Sequence, residues 1–142
     1  MKKIIIFIFI FSVSVFMTGN DFGKIASASG DVVVIVNKSR GSLTSSNIKR
    51  IFSGKMTRWP GGGRIKVLLN RNSAIYNSFS RKYLRKSPTS VDNLWVKENI
   101  RTGVAIPRKV PSSVIKMMVS NSSAFIGFVK RSEAGTGVKI IE

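Results

Sequence analysis

Apolar positions along this chain alternate between unbroken runs and helical spacing, and the switches mark its elements. Val32-Val33-Val34-Ile35-Val36 is an unbroken run. Lacking alternation, it predicts a strand covered on both faces, as in parallel sheets. The polar turn Asn37-Lys38-Ser39-Arg40-Gly41-Ser42 ends it. Ile48, Ile51 and Phe52 then fall at helical spacing. This predicts a helix from Ser45 to Phe52, capped by Thr44 or Ser45. Leu43 is placed to staple its entry, and Gly54 suits a left-handed turn past its end. Lys49 and Arg50 are expected to point outward.

A second strand is expected from Ile65 to Leu69. Asn72-Ser73 then caps a longer helix with Ile75, Tyr76, Phe79, Tyr83 and Leu84 near one face. Its outer face carries Arg81, Lys82, Arg85 and Lys86, and Pro88 is expected to end it. The next helix is expected from Thr89-Ser90, with Val91, Leu94 and Trp95 inward. A loop from Asn99 to Gly103 leads to Ala105-Ile106-Pro107. Pro111 suits the first turn of a further helix holding Val114, Ile115, Met118 and Val119. Met117 and Met118 read as gap-filling core rather than ligands. Ala124 to Val129 predicts a strand in which Gly127 admits a close backbone approach. Val138 to Ile141 predicts a last strand. Strand, helix, loop, strand, helix is the order of an α/β layer with functional loops at strand ends.

The beginning of the chain stands apart from this pattern. Lys2 and Lys3 precede an apolar run from Ile4 to Phe16, and Ala26-Ser27-Ala28 offers a small-residue cleavage site. The run is short for a membrane span. Residues 1–28 therefore read as a signal peptide cleaved after Ala28, with a membrane anchor as the alternative. No cysteine follows the run, so a lipoprotein anchor is not expected. Residues 29–142 are long enough for one domain with a modest core.

Composition narrows the chemistry. The chain has no cysteine and no histidine, which excludes disulfides, thiolate or imidazole metal sites and any nucleophile built on Cys or His. Without Lys2, Lys3, Lys24 and Asp21 there remain 21 basic and 5 acidic residues, a net charge of +16. Such a charge attracts anions and makes polyanion binding salt-dependent. The charges are scattered, with no compact basic arm, so a specific nucleic-acid partner is not expected. The acids Asp31, Asp92, Glu98, Glu133 and Glu142 are unpaired in sequence, so acid–base catalysis is not expected. Gly61-Gly62-Gly63 is followed by neither Gly-Lys-Ser/Thr nor a helix. It reads as a turn that folds Trp59 back onto the core rather than a phosphate cradle.

Three blocks carry a resemblance to a known family. Leu43 with Ile48-Lys49-Arg50-Ile51-Phe52-Ser53-Gly54-Lys55 and Trp59 resembles a block of the phosphate-binding proteins of ABC importers. Phe79-Ser80-Arg81-Lys82-Tyr83-Leu84 resembles the helix after that family's phosphate loop, and Asn121 to Val129 resembles its Ile-Gly-Tyr-Val strand. The resemblance covers nearly all of residues 29–142. It implies a single lobe of the type II periplasmic-binding-protein fold, an α/β domain with a mixed, mostly parallel sheet flanked by helices. One lobe cannot bury an anion between two walls, so a homodimer or a borrowed partner, such as an ABC permease or membrane sensor, is also implied. No cofactor is.

The family places an Arg after the second strand and a Ser-Gly-Thr at a helix start. Leu69-Asn70-Arg71-Asn72-Ser73-Ala74-Ile75 holds that place here. The resemblance assigns Arg71, Asn72 and Ser73 to the oxyanion, through a guanidinium fork, a hydroxyl and free helix N–H groups. Ala74 and Ile75 replace the Gly and Thr, and no acid stands in the loop to accept the proton of hydrogen phosphate. Ser39, Arg40 and Ser42, after the first strand, are candidates to line the same crevice. The expected function is an exported, periplasmic or secreted, phosphate- or oxyanion-binding protein of an ABC phosphate uptake system. The alternative is an interaction module whose basic surface meets a polyanion, a membrane surface or an acidic protein.

Overall fold

The computed structural model describes residues 30–142; the expected leader and its cleavage site lie outside them. The strands are β1 (Val32–Val36), β2 (Lys66–Asn70), β3 (Arg108–Val110), β4 (Phe125–Lys130) and β5 (Lys139–Ile141). The helices are α1 (Ser45–Phe52), α2 (Ser73–Phe79), α3 (Pro88–Thr102), α4 (Ser112–Asn121) and the single turn α5 (Arg131–Ala134). A π-helical turn, Ser80–Leu84, continues α2. No described helix is long and apolar enough to cross a membrane.

One sheet runs in the order β3-β2-β4-β1-β5. β2 is parallel to β3 and to β4, whereas β1 is antiparallel to β4 and to β5. The sheet is mixed as expected, but parallel pairing is confined to its β3-β2-β4 half. β1 explains the difference. All five of its residues are buried because helices cover both faces of the sheet. An unbroken apolar run therefore reports two-sided burial and leaves strand direction open.

Two apolar clusters form the core. On one face Val32, Val34, Val36, Leu69, Ile126 and Phe128 meet α1, α2, α3 and Trp59. Phe79 stacks on Phe128 with centroids 3.8 Å apart, and Phe52 meets Phe79 edge-on at 4.6 Å. On the other face Val33, Ile35, Leu68 and Val129 meet Ile115 and Val119 of α4. Gly127 is where α4 comes closest; a β-carbon there would lie 2.4 Å from Ile115 Cγ2.

Local signals place most of these elements. Thr44 caps α1 by accepting from Asn47 N–H, and Trp59 folds back to 4% exposure. Pro88 begins α3 rather than ending α2, with Ser87 as cap. That follows from the fixed φ of proline, which fits the first helical turn.

Candidate functional site

β2 and β3 are neighbouring parallel strands whose connections leave to opposite faces. β2 leads into α2, whose Ile75, Tyr76 and Phe79 join the first cluster, and β3 leads into α4, whose Ile115 and Val119 join the second. A crevice opens beyond the carboxyl ends of such strands, and ligands of open α/β sheets collect there. Arg71, Asn72 and Ser73 form one rim. Pro111, Ser112 and Ser113 form the other.

Asn70 ties the rims together. It is 1% exposed, the last residue of β2. Its Nδ2 donates to Ser112 Oγ at 2.8 Å and to Phe128 O at 3.2 Å, while its Oδ1 accepts from Asn72 N–H at 2.9 Å. Arg71 N–H donates to Val110 O across the strands at 2.9 Å. The Arg71 side chain is exposed, and no described ion pair uses it.

Asn72 is the N-cap of α2. Its Oδ1 accepts from Ala74 N–H at 3.0 Å and from Ile75 N–H at 3.2 Å. The two helix N–H groups that an anion would use first are thus already satisfied by the chain's own side chain. Ser73, the first helical residue, is exposed. α4 starts differently. Pro111 offers no capping side chain, and the Ser112 and Ser113 amides open toward the crevice end of the sheet.

Close by, Asp92 accepts from Tyr76 Oη at 2.8 Å and pairs with Lys109 Nζ at 2.7 Å. Burial, and then the Asp92 carboxylate, push the Tyr76 hydroxyl far above its ordinary value, so it stays protonated. This carboxylate is committed to partners on α2 and β3. Among the described residues no group of side chains is assembled that would hold a metal ion.

The structure does not bring Ser39, Arg40 and Ser42 to this crevice. β1 and β2 both pair with β4, one antiparallel and one parallel, so their carboxyl ends lie at opposite ends of the sheet. Four strand steps separate the ends of β2, roughly 13 Å at 3.3 Å per residue. Arg40 Nε donates to Ser123 O at 2.7 Å and its guanidinium lies 4.5 Å from the centre of the Trp59 ring. Ser39 donates through N–H and Oγ to Asn37 Oδ1, and Ser42 is exposed beside this turn. The expectation of one shared crevice fails because it assumed β1 parallel to β2.

Asn70, Ser112 and Ser113 escaped the sequence reading. Their signal is weak because β3 is three residues, Arg108-Lys109-Val110, with two charged residues exposed. Without that strand, nothing in the sequence sets Pro111 beside Arg71.

No protein-family model matches this chain, and no curated protein matches it. Solved structures do, two among them being the following. One is an ABC-type phosphate transport receptor from Vibrio cholerae, at 17% identity and a TM-score of 0.51 over 78% of this chain and 45% of that one. The other is a protein from Clostridium perfringens assigned as a phosphate ABC transporter substrate-binding protein and solved with phosphate bound. It matches at 22% identity and a TM-score of 0.51 over 78% of this chain and 44% of that one. This chain spans under half the length of either. At these identities the likeness shows the fold, a single periplasmic-binding-protein-like lobe.

Proposed function

We propose that this protein binds phosphate or a related oxyanion in the crevice between Arg71–Ser73 and Pro111–Ser113, without catalysis. The observation that carries the reading is the divergence of β2 and β3 to opposite faces, with an exposed arginine that no described ion pair uses and two helix starts at the opening. Arg71 supplies a two-pronged cation, Ser73 a hydroxyl, and α4 its uncapped first amides. The fold it shares with a phosphate transport receptor, and with a neighbour holding phosphate, supports the same ligand class. In this reading the protein is exported to the periplasm or secreted, after cleavage behind Ala28. There it serves an ABC phosphate uptake system. A second copy, a permease or a membrane sensor then supplies the second wall over the crevice.

The test is calorimetric titration with phosphate near physiological ionic strength, with sulfate as control. Saturable phosphate binding that is lost in an Arg71→Ala, Ser73→Ala double variant is expected. Undiminished binding in that variant removes the crevice from consideration.

A second reading has its own observation. Asn72 occupies the amides of Ala74 and Ile75, and most cations of the domain are exposed. The domain then keeps the fold and uses its basic surface on an anionic partner. Polyanion binding that persists at physiological salt without any response to phosphate selects this reading.

A further inference from the structure

The segment between α2 and α3 gathers three cations around one depression. Arg81, Arg85, Lys86 and Ser87 line an open cavity of about 250 Å³. All three cations are exposed, and no described ion pair includes them. The described carboxylates are engaged elsewhere. Asp31 holds Lys82 and Arg131, Asp92 holds Lys109, and Glu98 holds Arg101. Glu142 holds Arg131, and Glu133 accepts from Lys130 N–H. Like charges crowded on one helical segment repel one another, and no described carboxylate relieves these three.

The backbone of the same segment is costly. Ser80–Leu84 winds as a π turn, a form that is rare and recurs at functional sites. Arg85 follows in the left-handed region, at φ 53° and ψ 39°. It is the only non-glycine residue with positive φ among the described residues; the others are Gly30, Gly54, Gly62, Gly63, Gly103 and Gly135. The chain thus places glycine wherever else this conformation occurs. At position 85 it keeps a long cationic side chain where glycine would relieve strain. The start of α3 is not what makes the depression attractive to anions, because Ser87 Oγ already accepts from Ser90 N–H.

We propose that Arg81, Arg85 and Lys86 form a binding site for a phosphate-type oxyanion, separate from the crevice at Arg71. Two guanidinium forks and an ammonium suit a multiply charged tetrahedral group. The depression is open, so the group that carries the phosphate remains in solvent. The ion is either free phosphate or the phosphate of a lipid headgroup. The site lies toward β1, since Lys82, next to Arg81, reaches Asp31 and Val32 O. Two strand spacings, roughly 10 Å, separate β1 from β2.

The experiment follows backbone amide chemical shifts of the protein in the form its cells process. It uses two probes, inorganic phosphate and phosphatidylcholine vesicles containing phosphatidic acid. Shift changes centred on residues 80–90 are expected with at least one probe. Response to inorganic phosphate assigns the free ion; response to the vesicles alone assigns the headgroup. Arg85→Gly should weaken this response about tenfold or more while raising the thermal midpoint. An Arg81→Gln, Lys86→Gln double variant should weaken it without touching the strained position. Arg71→Ala should leave it unchanged, so failure at the crevice and failure here are read separately. No response to either probe overturns the proposal. So does an unchanged response in both variants, or an equal loss when Arg58 and Arg64 are neutralised instead, since total charge would then be the cause.

Discussion

β1 and β2 end on the same device and put it to different use. Each carries an asparagine at its carboxyl end. Asn37 Oδ1 accepts from Ser39 N–H at 3.0 Å, and Asn70 Oδ1 accepts from Asn72 N–H at 2.9 Å. Each Nδ2 then reaches across the fold, Asn37 to Val119 O and Ser120 O, Asn70 to Ser112 Oγ and Phe128 O. Both are two-residue side-chain turns of the kind asparagine favours. What differs is the arginine that follows. Arg40 is folded down onto Trp59 and the Ser123 carbonyl. Arg71 is exposed, in no described ion pair, beside two helix starts. An arginine in a strand-end loop is therefore a brace or a candidate ligand group according to what its guanidinium already touches.

The largest expected effect falls on the buried member of this pair. Asn70→Ala leaves Asn72 N–H, Ser112 Oγ and Phe128 O without their partner in a site of 1% exposure. The cost should be about 3 kcal/mol. Asn37→Ala, at a half-buried position, should cost about 1 kcal/mol. Denaturant unfolding checks both. Phosphate binding should fall in the Asn70 variant alone, and equal losses of affinity would break the distinction between the two ends.

Arg40→Ala comes next. It removes a charge-assisted bond to Ser123 O and a cation over Trp59, for about 1.5 kcal/mol in total. Arg71→Ala should change stability by less than about 0.5 kcal/mol, as surface substitutions do. Their effects on anion affinity should run the other way, with Arg71 sensitive and Arg40 silent. A phosphate response that depends on Arg40 would make the braced end the site.

How far the sequence carried this comparison depends on the length of the signals. Val32–Val36, Ser45–Phe52 and the Gly127 strand are long, apolar or capped, and each stands within a residue of its expected place. The fold class follows from them. β3 is three residues with two exposed charges, and α5 is one turn; neither offers a period to read. Missing β3 concealed both the switch point and the serines opposite Arg71. Strand direction was the other loss. It is decided by which neighbour the strand pairs with, and two-sided burial of β1 hides that choice. Arg71, Asn72 and Ser73 were legible because the cap and the strand end lie next to each other in sequence.

Asn72→Ala sharpens the reading of the open end. Loss of an N-cap should cost about 1 kcal/mol by unfolding. It also frees the amides of Ala74 and Ile75, which Asn72 Oδ1 now occupies. If the cap competes with the ion, phosphate affinity should rise and added phosphate should restore the lost stability. Unchanged affinity would place the ion on Arg71 and the start of α4 alone.

The smallest effect is a pH dependence at the same end of the sheet, where Asp31 precedes β1. Hydrogen bonds from Lys82 and then Arg131 hold its carboxyl below the ordinary carboxylate value of 3.8. A carboxylate whose folded value is depressed stabilises the fold above its unfolded value, and loses that contribution as pH falls through the folded one. The stabilisation should thus be complete at neutral pH and fade below about 3.8. Asp31 is half exposed, so the gain is at the low end for surface pairs. Asp31→Asn should lower the thermal midpoint slightly at pH 7 and not at all at the acid end. An equal shift at both pH values would assign the role of the Asp31 side chain to local geometry rather than charge, since the backbone bond from Arg131 N–H to Asp31 O is kept in the variant.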